Sequence, residues 1–287
     1  MSSDGQGGGY RGRIAPTPTG FLHLGHFVTF RTAWQRARSA GGTLIFRNED
    51  IDPQRCRPEF AAAALEDLRW AGLGWDEGPD VGGPHRPYDQ SARFAAYRVA
   101  CETLVREGRA FFCTCSRRDL AEAAGAPHDE SGEPLYPGTC RARAARPADG
   151  APVALRFRVT DGETVEFVDG RMGPRRFVAG RDFGDFVIWR RDDAPAYELA
   201  VVVDDAAMGI TEVVRGEDLL LSTARQLTLY RALRWQPPAF FHCPLVRDAE
   251  GRRLAKRHAA LSLRELRARG VRPEELPSLV GSGVADG

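Results

Sequence analysis

The chain has 287 residues, of which 43% are hydrophobic and 28% charged, and its 40 basic and 39 acidic side chains leave a net charge of +1. This composition is typical of a globular protein, and no run approaches the roughly 18 apolar residues that a membrane helix needs. It excludes a helical membrane protein and a strongly basic nucleic-acid-binding protein, so any RNA contact must come from local patches. One domain with an inserted module, or two small domains, would fit this length.

The start of the chain and its cysteines indicate the compartment. Residues 1–9 are rich in Ser and Gly and have no basic stretch followed by an apolar one, so we expect a disordered leader rather than a secretion signal. Six cysteines without such a signal favour a reducing, cytoplasmic environment, in which thiols are free or bind metal.

The first part of the chain predicts a βαβ unit. A short strand at 11–15 is ended by prolines, apolar residues spaced three and four apart predict a helix from 24 to about 40, and 43–47 predicts a buried strand. This order implies a parallel sheet with a ligand crevice at the strand ends.

The sequence pattern changes between residues 111 and 181, and the α/β pattern then resumes. Paired cysteines and Pro/Gly-rich turns between 111 and 181 favour an inserted, partly β module, and 199–204 is a continuous apolar run ending in acids. The other predicted elements are helices at 58–71 and 91–107, alternating β segments at 154–159 and 164–168, a strand at 212–215 and an amphipathic segment at 222–233.

Two histidines lie between the first predicted strand and helix. In the segment 13–26, Gly20 and two prolines form a rigid turn, Gly25 permits close approach of a ligand, and His23 and His26 can lie on one side of the first helical turn. Because a helix N-terminus favours anions, both imidazoles could donate to phosphate oxygens. A helix cap with two surface histidines is the alternative.

This segment resembles the HIGH signature of class I aminoacyl-tRNA synthetases, in the form typical of the glutamyl and glutaminyl group. Further stretches resemble glutamyl-tRNA synthetase motifs in the expected order: 47–55 (RNEDIDPQR), 88–91 (YDQS), 197–205, 214–218 (VRGED) and 251–257 (GRRLAKR), the last similar to the KMSKS loop. The resemblance spans residues 11 to about 260. It implies a Rossmann-type α/β catalytic domain with a parallel sheet that adenylates glutamate with ATP and Mg²⁺.

Glutamate carries two carboxylates and one ammonium, so its site needs cations at the ends and an anion in the middle. Arg13 and Arg215 could pair with the carboxylates and Glu49 with the ammonium, although Arg215 and Glu217 could instead be ion-pair partners at a sheet end. The resemblance assigns the amino acid to this region, with a tyrosine as a further contact. The predicted glutamate site comprises Arg13, Ala15, Thr17, Glu49, Tyr197 and Arg215.

The resemblance makes Lys256 the mobile-loop cation that neutralises the ATP phosphates. Here the chain departs from the family, since Arg253 replaces the first Lys, Ala255 replaces Ser and Arg257 ends the motif. Arg keeps the charge but is not equivalent to Lys, so catalytic efficiency is in question. The predicted catalytic residues are His23, His26 and Lys256, and the predicted ATP-binding residues are His23, Gly25, His26, Arg253, Leu254 and Lys256.

Cys113, Cys115 and Cys140 could fill three corners of a zinc tetrahedron, because two thiolates come from one turn and one from another. His128 is a chemical candidate for the fourth ligand, and three free thiols without metal are the alternative. The CxC and YxxxC spacing resembles a subgroup of the family in which a tyrosine oxygen is the ligand, which implies Tyr136 and a structural Zn²⁺.

That cysteine pattern, with a chain that stops soon after the KMSKS-like loop, resembles a family of truncated glutamyl-synthetase cores. This implies transfer of glutamate to the queuosine at the wobble position of tRNA(Asp). Two alternatives stay open: a discrete glutamyl-tRNA synthetase that charges the 3′ end of tRNA(Glu), and a catalytically weak tRNA-binding paralogue. We expect a monomer without membrane contact, with arginine-rich patches at 141–146 and 252–269 as candidate RNA contacts.

The patterns and the resemblance together divide the chain. The predicted regions are a disordered leader at 1–9, a Rossmann catalytic domain in two halves at 10–110 and 186–248, an inserted zinc-containing, acceptor-like α+β module at 111–185, and a KMSKS-like loop with a short C-terminal stub at 249–287.

Overall fold

The computed structural model describes residues 9–122, 135–143, 145–147, 150–246 and 262–280. Its strands are β1 (Arg11–Ile14), β2 (Thr43–Phe46), β3 (Ala110–Cys113), β4 (Ala154–Phe157), β5 (Thr164–Asp169), β6 (Gly173–Val178), β7 (Phe186–Trp189), β8 (Glu212–Gly216) and β9 (Ala239–Cys243). Its α-helices are α1 (Leu24–Ser39), α2 (Pro58–Trp70), α3 (Phe94–Arg106), α4 (Arg117–Glu122), α5 (Tyr197–Ala207), α6 (Leu220–Leu233) and α7 (Leu263–Ala268). None of the described helices is long and apolar enough to span a bilayer.

The predicted elements are confirmed with small shifts at their ends. The helix expected at 91–107 begins as a 3₁₀ turn over Gln90–Arg93 before α3. The apolar run at 199–204 lies in α5, where every residue from 199 to 205 is buried. A helix buried on all sides has no periodic pattern, which is why its type could not be read from hydrophobicity.

The described residues of 1–89, 209–217 and 238–287 form one compact unit. In it β1 runs parallel to β2, and β8 runs parallel to β9. Just before β8, the Thr211 amide donates to the Arg11 carbonyl at 2.9 Å, and the Arg13 guanidinium donates to the Val214 carbonyl at 2.8 Å. The order is therefore β2-β1-β8-β9, with β1 and β8 in the same direction.

This order contains the switch at which a ligand crevice is expected. From β1 the chain passes through α1 to β2 on one side, whereas β8 and β9 lie on the other side of β1. Ligands of open parallel sheets bind at such a switch in strand order, outside the carboxyl ends of the strands. The residues that follow β1 and β2, and those at the end of β8, therefore line the candidate site.

Packing of α1 fixes the position of its N-terminus beside this crevice. Its buried residues are Phe27, Phe30, Ala33 and Ala37, and the helix packs against β1 and β8. They join a core that includes Ile14, Leu44, Phe46 and Val214. Complete burial of a side chain such as Phe27 contributes about 1.5–3 kcal/mol, so α1 is held firmly on the sheet.

The described residues of 90–208 and 218–237 form a second compact unit. It contains an antiparallel sheet in the order β3-β4-β7 and the β5–β6 hairpin, with α3, α5 and α6 packed together. The buried Asp204 carboxylate accepts hydrogen bonds from Gln90 at 2.7 Å, Arg93 at 2.6 Å and Tyr97 at 2.9 Å. One satisfied carboxylate thus fixes α3 against α5.

Candidate active site and metal centre

His23 and His26 form a reciprocal cap at the start of α1. His23 is the N-cap residue, its Nδ1 accepts from the Gly25 amide at 3.1 Å, and the His26 Nδ1 accepts from the His23 amide at 3.2 Å. An imidazole nitrogen that accepts cannot carry the proton, so in the neutral rings the proton is on Nε2. The ring centroids are 3.9 Å apart, which gives two neighbouring Nε2–H donors at a helix N-terminus.

Gly25 has a local reason to be glycine. A Cβ at this position would lie 3.0 Å from the His23 Cε1 and 3.1 Å from its Nδ1. The missing side chain therefore admits the His23 ring against the first turn of α1. From the sequence, Gly25 is expected only to permit close approach of a ligand.

Glu49 follows β2 and lies beside the segment that follows β1. Its amide donates to the Pro16 carbonyl at 3.0 Å, and its Oε1 accepts from the Arg47 guanidinium at 3.1 Å. Arg47 is completely buried, and the Glu49 side chain is nearly so. A buried guanidinium at this distance fixes the direction of the Glu49 carboxylate through a charge-assisted hydrogen bond. Ala15 and Thr17 lie in the segment after β1, half-buried and exposed respectively.

Arg215 occupies the carboxyl-terminal half of β8 and is 4% exposed. Its Nε donates to the His242 Nε2 at 3.2 Å, and its Cζ lies 5.4 Å from the centroid of the Phe240 ring. His242 on β9 is buried, directly opposite Arg215 in the register. The Glu217 Oε1 accepts from the Leu245 amide at 3.3 Å. Sequence reasoning missed His242, because a single histidine within an apolar strand gives no pattern of its own.

Not every predicted site residue can be placed in this unit. Tyr197 begins α5 in the second unit. Arg253, Leu254 and Lys256 lie outside the described residues, as does His128. The chain is described again at Ser262, which forms a β-bridge with His23, and the next amide, Leu263, donates to the Leu22 carbonyl at 2.7 Å. Ser262, five residues beyond the KMSKS-like segment, therefore lies beside His23.

Three predicted zinc ligands and the predicted tyrosine lie together in the second unit. The Sγ atoms of Cys113, Cys115 and Cys140 are all within 4.8 Å of one another, and those of Cys115 and Cys140 are 3.7 Å apart. The Tyr136 hydroxyl oxygen lies 3.4 Å from the Cys113 Sγ and 3.6 Å from the Cys115 Sγ. β3 supplies the first thiol, and the turn at Gly138 brings the tyrosine and the third cysteine to it.

These distances fit a tetrahedron around zinc. With Zn–S bonds of about 2.3 Å and a Zn–O bond of about 2.0 Å, ideal edges are about 3.8 Å between sulfurs and about 3.5 Å between sulfur and oxygen. Burial raises the pKa of Cys115 to about 11. Burial also opposes ionisation of Cys140, but hydrogen bonds from Tyr136 and from the Thr114 backbone outweigh it and lower the pKa of Cys140 to about 6.

Sequence comparisons place this chain in a known family. Residues 10–282 match the family described as tRNA synthetases class I (E and Q), catalytic domain. The chain is 55% identical to the glutamyl-Q tRNA(Asp) synthetase of Symbiobacterium thermophilum, over 96% of this chain and 87% of that protein. It is 51% identical to the protein of the same name from Nitratidesulfovibrio vulgaris, over 91% and 82%. Identity to glutamate–tRNA ligase 2 of Acidithiobacillus ferrooxidans is 46%, and the chain spans 55% of that protein's length.

Comparison with solved structures gives the same family. The glutamate tRNA ligase of Elizabethkingia meningosepticum, in complex with its amino acid, matches with a TM-score of 0.75 and 31% identity, over 91% of this chain and 53% of that one. The glutamate-tRNA synthetase of Elizabethkingia anophelis matches with a TM-score of 0.76 and 30% identity, over 91% and 54%. The chain therefore belongs to the class I aminoacyl-tRNA synthetases of the glutamyl and glutaminyl family, in the group of the glutamyl-Q tRNA(Asp) synthetases, and is a ligase.

Proposed function

We propose that this protein activates L-glutamate with ATP and transfers it to the queuosine at the wobble position of tRNA(Asp). The observation that carries the proposal is the charge pattern at the carboxyl ends of β1, β2 and β8. Two buried guanidiniums, on Arg13 and Arg215, and one buried carboxylate, on Glu49, complement the two anionic groups and the ammonium of glutamate. The names of the most similar relatives support the same substrate.

Glutamate is bound by groups that are already fixed before it arrives. His242 accepts from the Arg215 Nε–H, which fixes the plane of the guanidinium that pairs with a glutamate carboxylate in this proposal. Arg47 fixes the Glu49 carboxylate, which takes the ammonium. The family resemblance implies Tyr197 as a further glutamate contact. Groups held in place lose little conformational entropy on binding, which favours both affinity and alignment.

Adenylation follows from the position of the histidines. The α-carboxylate oxygen of glutamate attacks the ATP α-phosphorus, a new P–O bond forms, and the bond to the β-phosphate breaks to release pyrophosphate. The Nε2–H groups of His23 and His26 lie at the N-terminus of α1, where the helix dipole also favours negative charge, and they stabilise the charge that develops on the phosphate oxygens. Mg²⁺ bound with ATP supplies further charge neutralisation.

The KMSKS-like segment supplies the remaining ATP contacts in this proposal, through Arg253, Leu254 and Lys256. The described residues on either side of the segment support that role. Before the segment the chain leaves β9 at the carboxyl edge of the sheet, and after it Ser262 pairs with His23.

The second step forms an ester. One hydroxyl of the queuosine cyclopentenediol attacks the acyl carbon of glutamyl-adenylate, its proton is released, and AMP leaves.

Structural Zn²⁺ would be held by Cys113, Cys115, Cys140 and Tyr136, which would fix the turn around residue 138 to β3. That metal would serve folding rather than chemistry, because four protein ligands leave no open position.

Transfer to the 3′ end of tRNA(Glu) is the competing function, favoured by the 46% identity to a glutamate–tRNA ligase. Three RNAs distinguish the two: tRNA(Asp) carrying queuosine, a tRNA(Asp) transcript without it, and tRNA(Glu). With labelled glutamate, the proposal predicts acid-precipitable product from the first RNA alone. Product from tRNA(Glu), or from the transcript, would contradict it.

A further inference from the structure

A cavity lies in the second unit, between α3 and the β3-β4-β7 sheet. It encloses about 560 Å³, within the range of roughly 300–1,000 Å³ that is usual for small-molecule sites. No step of the proposed reaction uses it. The strand register shows which side chains line it.

The floor of the cavity is one row of side chains across three strands. Phe112 on β3 is paired with Leu155 on β4, and Leu155 is paired with Trp189 on β7. Directly paired residues of an antiparallel sheet lie on the same face, so these three form a continuous apolar row. They line the cavity, with Val153 beside them.

The opposite wall is one face of α3. The α3 residues that line the cavity are Arg98, Cys101, Glu102, Val105 and Arg106, which follow the spacing of a single helical face. The helix thus supplies an apolar middle and a charged rim. Arg98 stacks on the Trp189 ring, with its Cζ 4.6 Å from the centroid, and pairs with Asp193 at 2.8 Å. Asp193 also accepts from the Trp189 Nε1 at 3.0 Å, so the Arg98–Trp189 stack is fixed.

Basic side chains outnumber acidic ones around the rim, where Arg98 pairs with Asp193 and Arg190 with Asp192. Among the described residues, the lining includes two acids, Glu102 and Asp193, and five arginines: Arg98, Arg106, Arg146, Arg190 and Arg191. This excess contrasts with the net charge of +1 for the whole chain. An apolar aromatic floor below a ring of guanidiniums matches a flat base with phosphates on either side.

We propose that this cavity receives an unpaired nucleotide of the tRNA substrate, with its base on Phe112 and Leu155 beside the Arg98–Trp189 stack and its flanking phosphates on the rim arginines. The inference rests on the proposed function for its RNA. A nucleotide removed from the helical stack is a common way for proteins to recognise RNA loops. The pocket would hold the RNA while its modified base is acylated elsewhere.

Two variants test the two parts of the pocket separately. Arg106→Gln with Arg146→Gln removes rim charge, and Val105→Trp fills the cavity without changing charge. The matched control is Arg176→Gln with Arg231→Gln, which removes two exposed arginines of the same unit that do not line the cavity. The measurements are the KM for queuosine-bearing tRNA(Asp) at several salt concentrations, and glutamate-dependent ATP–pyrophosphate exchange without RNA.

We expect both test variants to raise the KM for tRNA about tenfold, the effect of losing one stacked base or two phosphate contacts, while exchange is unchanged. The rim variant should also lower the slope of log KM against log salt by about one to two, whereas Val105→Trp should leave that slope unchanged. The control should stay within about twofold of the original chain.

A KM at the control level for both test variants would overturn the proposal that the cavity binds a nucleotide of the tRNA. A rise for the rim variant with none for Val105→Trp would overturn insertion of a base and leave surface phosphate binding only. Unchanged tRNA kinetics, with thermal protection by AMP that Val105→Trp abolishes, would assign the cavity to a free nucleotide and also overturn the proposal. Loss of exchange in the original chain would instead contradict the proposed function.

Discussion

The Arg13 guanidinium donates to the Val214 carbonyl at 2.8 Å, across β1 and β8 at the point where the strand order changes. The next residue along β8 is Arg215. This bond therefore joins β1 and β8, and both arginines are buried. In the proposed function the two guanidiniums pair with the two carboxylates of glutamate.

Arg215→Ala should reduce glutamate activation through loss of a buried, charge-assisted contact. Removing such a group costs about 2–4 kcal/mol, so we expect kcat/KM for glutamate in pyrophosphate exchange to fall roughly 30- to 1,000-fold. The KM for ATP should change much less. Arg231→Ala, which removes an exposed arginine paired with Glu163, is the control. An unchanged kcat/KM for glutamate would show that Arg215 does not contact the substrate.

The capping geometry allows the imidazoles to be removed without removing the cap. Asn is a good N-cap, and Gln is the usual reciprocal partner three residues later, so His23→Asn and His26→Gln should keep the thermal unfolding temperature close to that of the original chain. Exchange should nevertheless fall about 100- to 1,000-fold in kcat, because donors to the phosphate are lost.

His23→Ala and His26→Ala serve as controls for the cap itself. They should lose activity and, in addition, about 1 kcal/mol of stability each. Full exchange activity in His23→Asn and His26→Gln would mean that both histidines serve only to begin α1.

One zinc ion per chain is expected from elemental analysis of protein prepared with zinc. Cys140→Ser should lose the metal, while Tyr136→Phe keeps three thiolates and should retain zinc but release it to a chelator at least about tenfold faster. Cys56→Ser is the control, because this thiol lies outside the cluster. Equal release rates for Tyr136→Phe and the original chain would exclude the phenolic oxygen as a ligand.

Asp67 should make the stability depend on pH. Burial raises the pKa of this carboxyl above its usual range, more than the nearby Arg264 lowers it. The folded state therefore binds a proton that the unfolded state releases, and stability is lost as the pH rises through the raised pKa. Asp67→Asn should increase the unfolding temperature at pH 7.5.

The advantage of Asp67→Asn should shrink as the pH is lowered from 7.5 through the raised pKa of the folded carboxyl. Differences between the two chains in thermal unfolding at several pH values measure this directly. A constant difference across that range would show that the carboxyl does not titrate there.

Local patterns predicted much of this molecule. The stripe on α1, the parallel β1–β2 pair and the three cysteines could be found because each depends on residues at fixed spacing. His242 and the Arg47–Glu49 pair could not, since their roles arise from contacts across the sheet and between neighbouring buried charges. From the sequence a cap at His23 is an alternative to phosphate binding, whereas the structure shows that the Nδ1 of His23 caps α1.

The most direct test of the central claim is the position of the ester. tRNA(Asp) carrying queuosine is charged with glutamate, digested to nucleosides under mildly acidic conditions and examined by mass spectrometry. We predict a mass increase of one glutamyl group on queuosine and an unmodified terminal adenosine. A glutamyl ester on the terminal adenosine, with queuosine unchanged, would contradict the account.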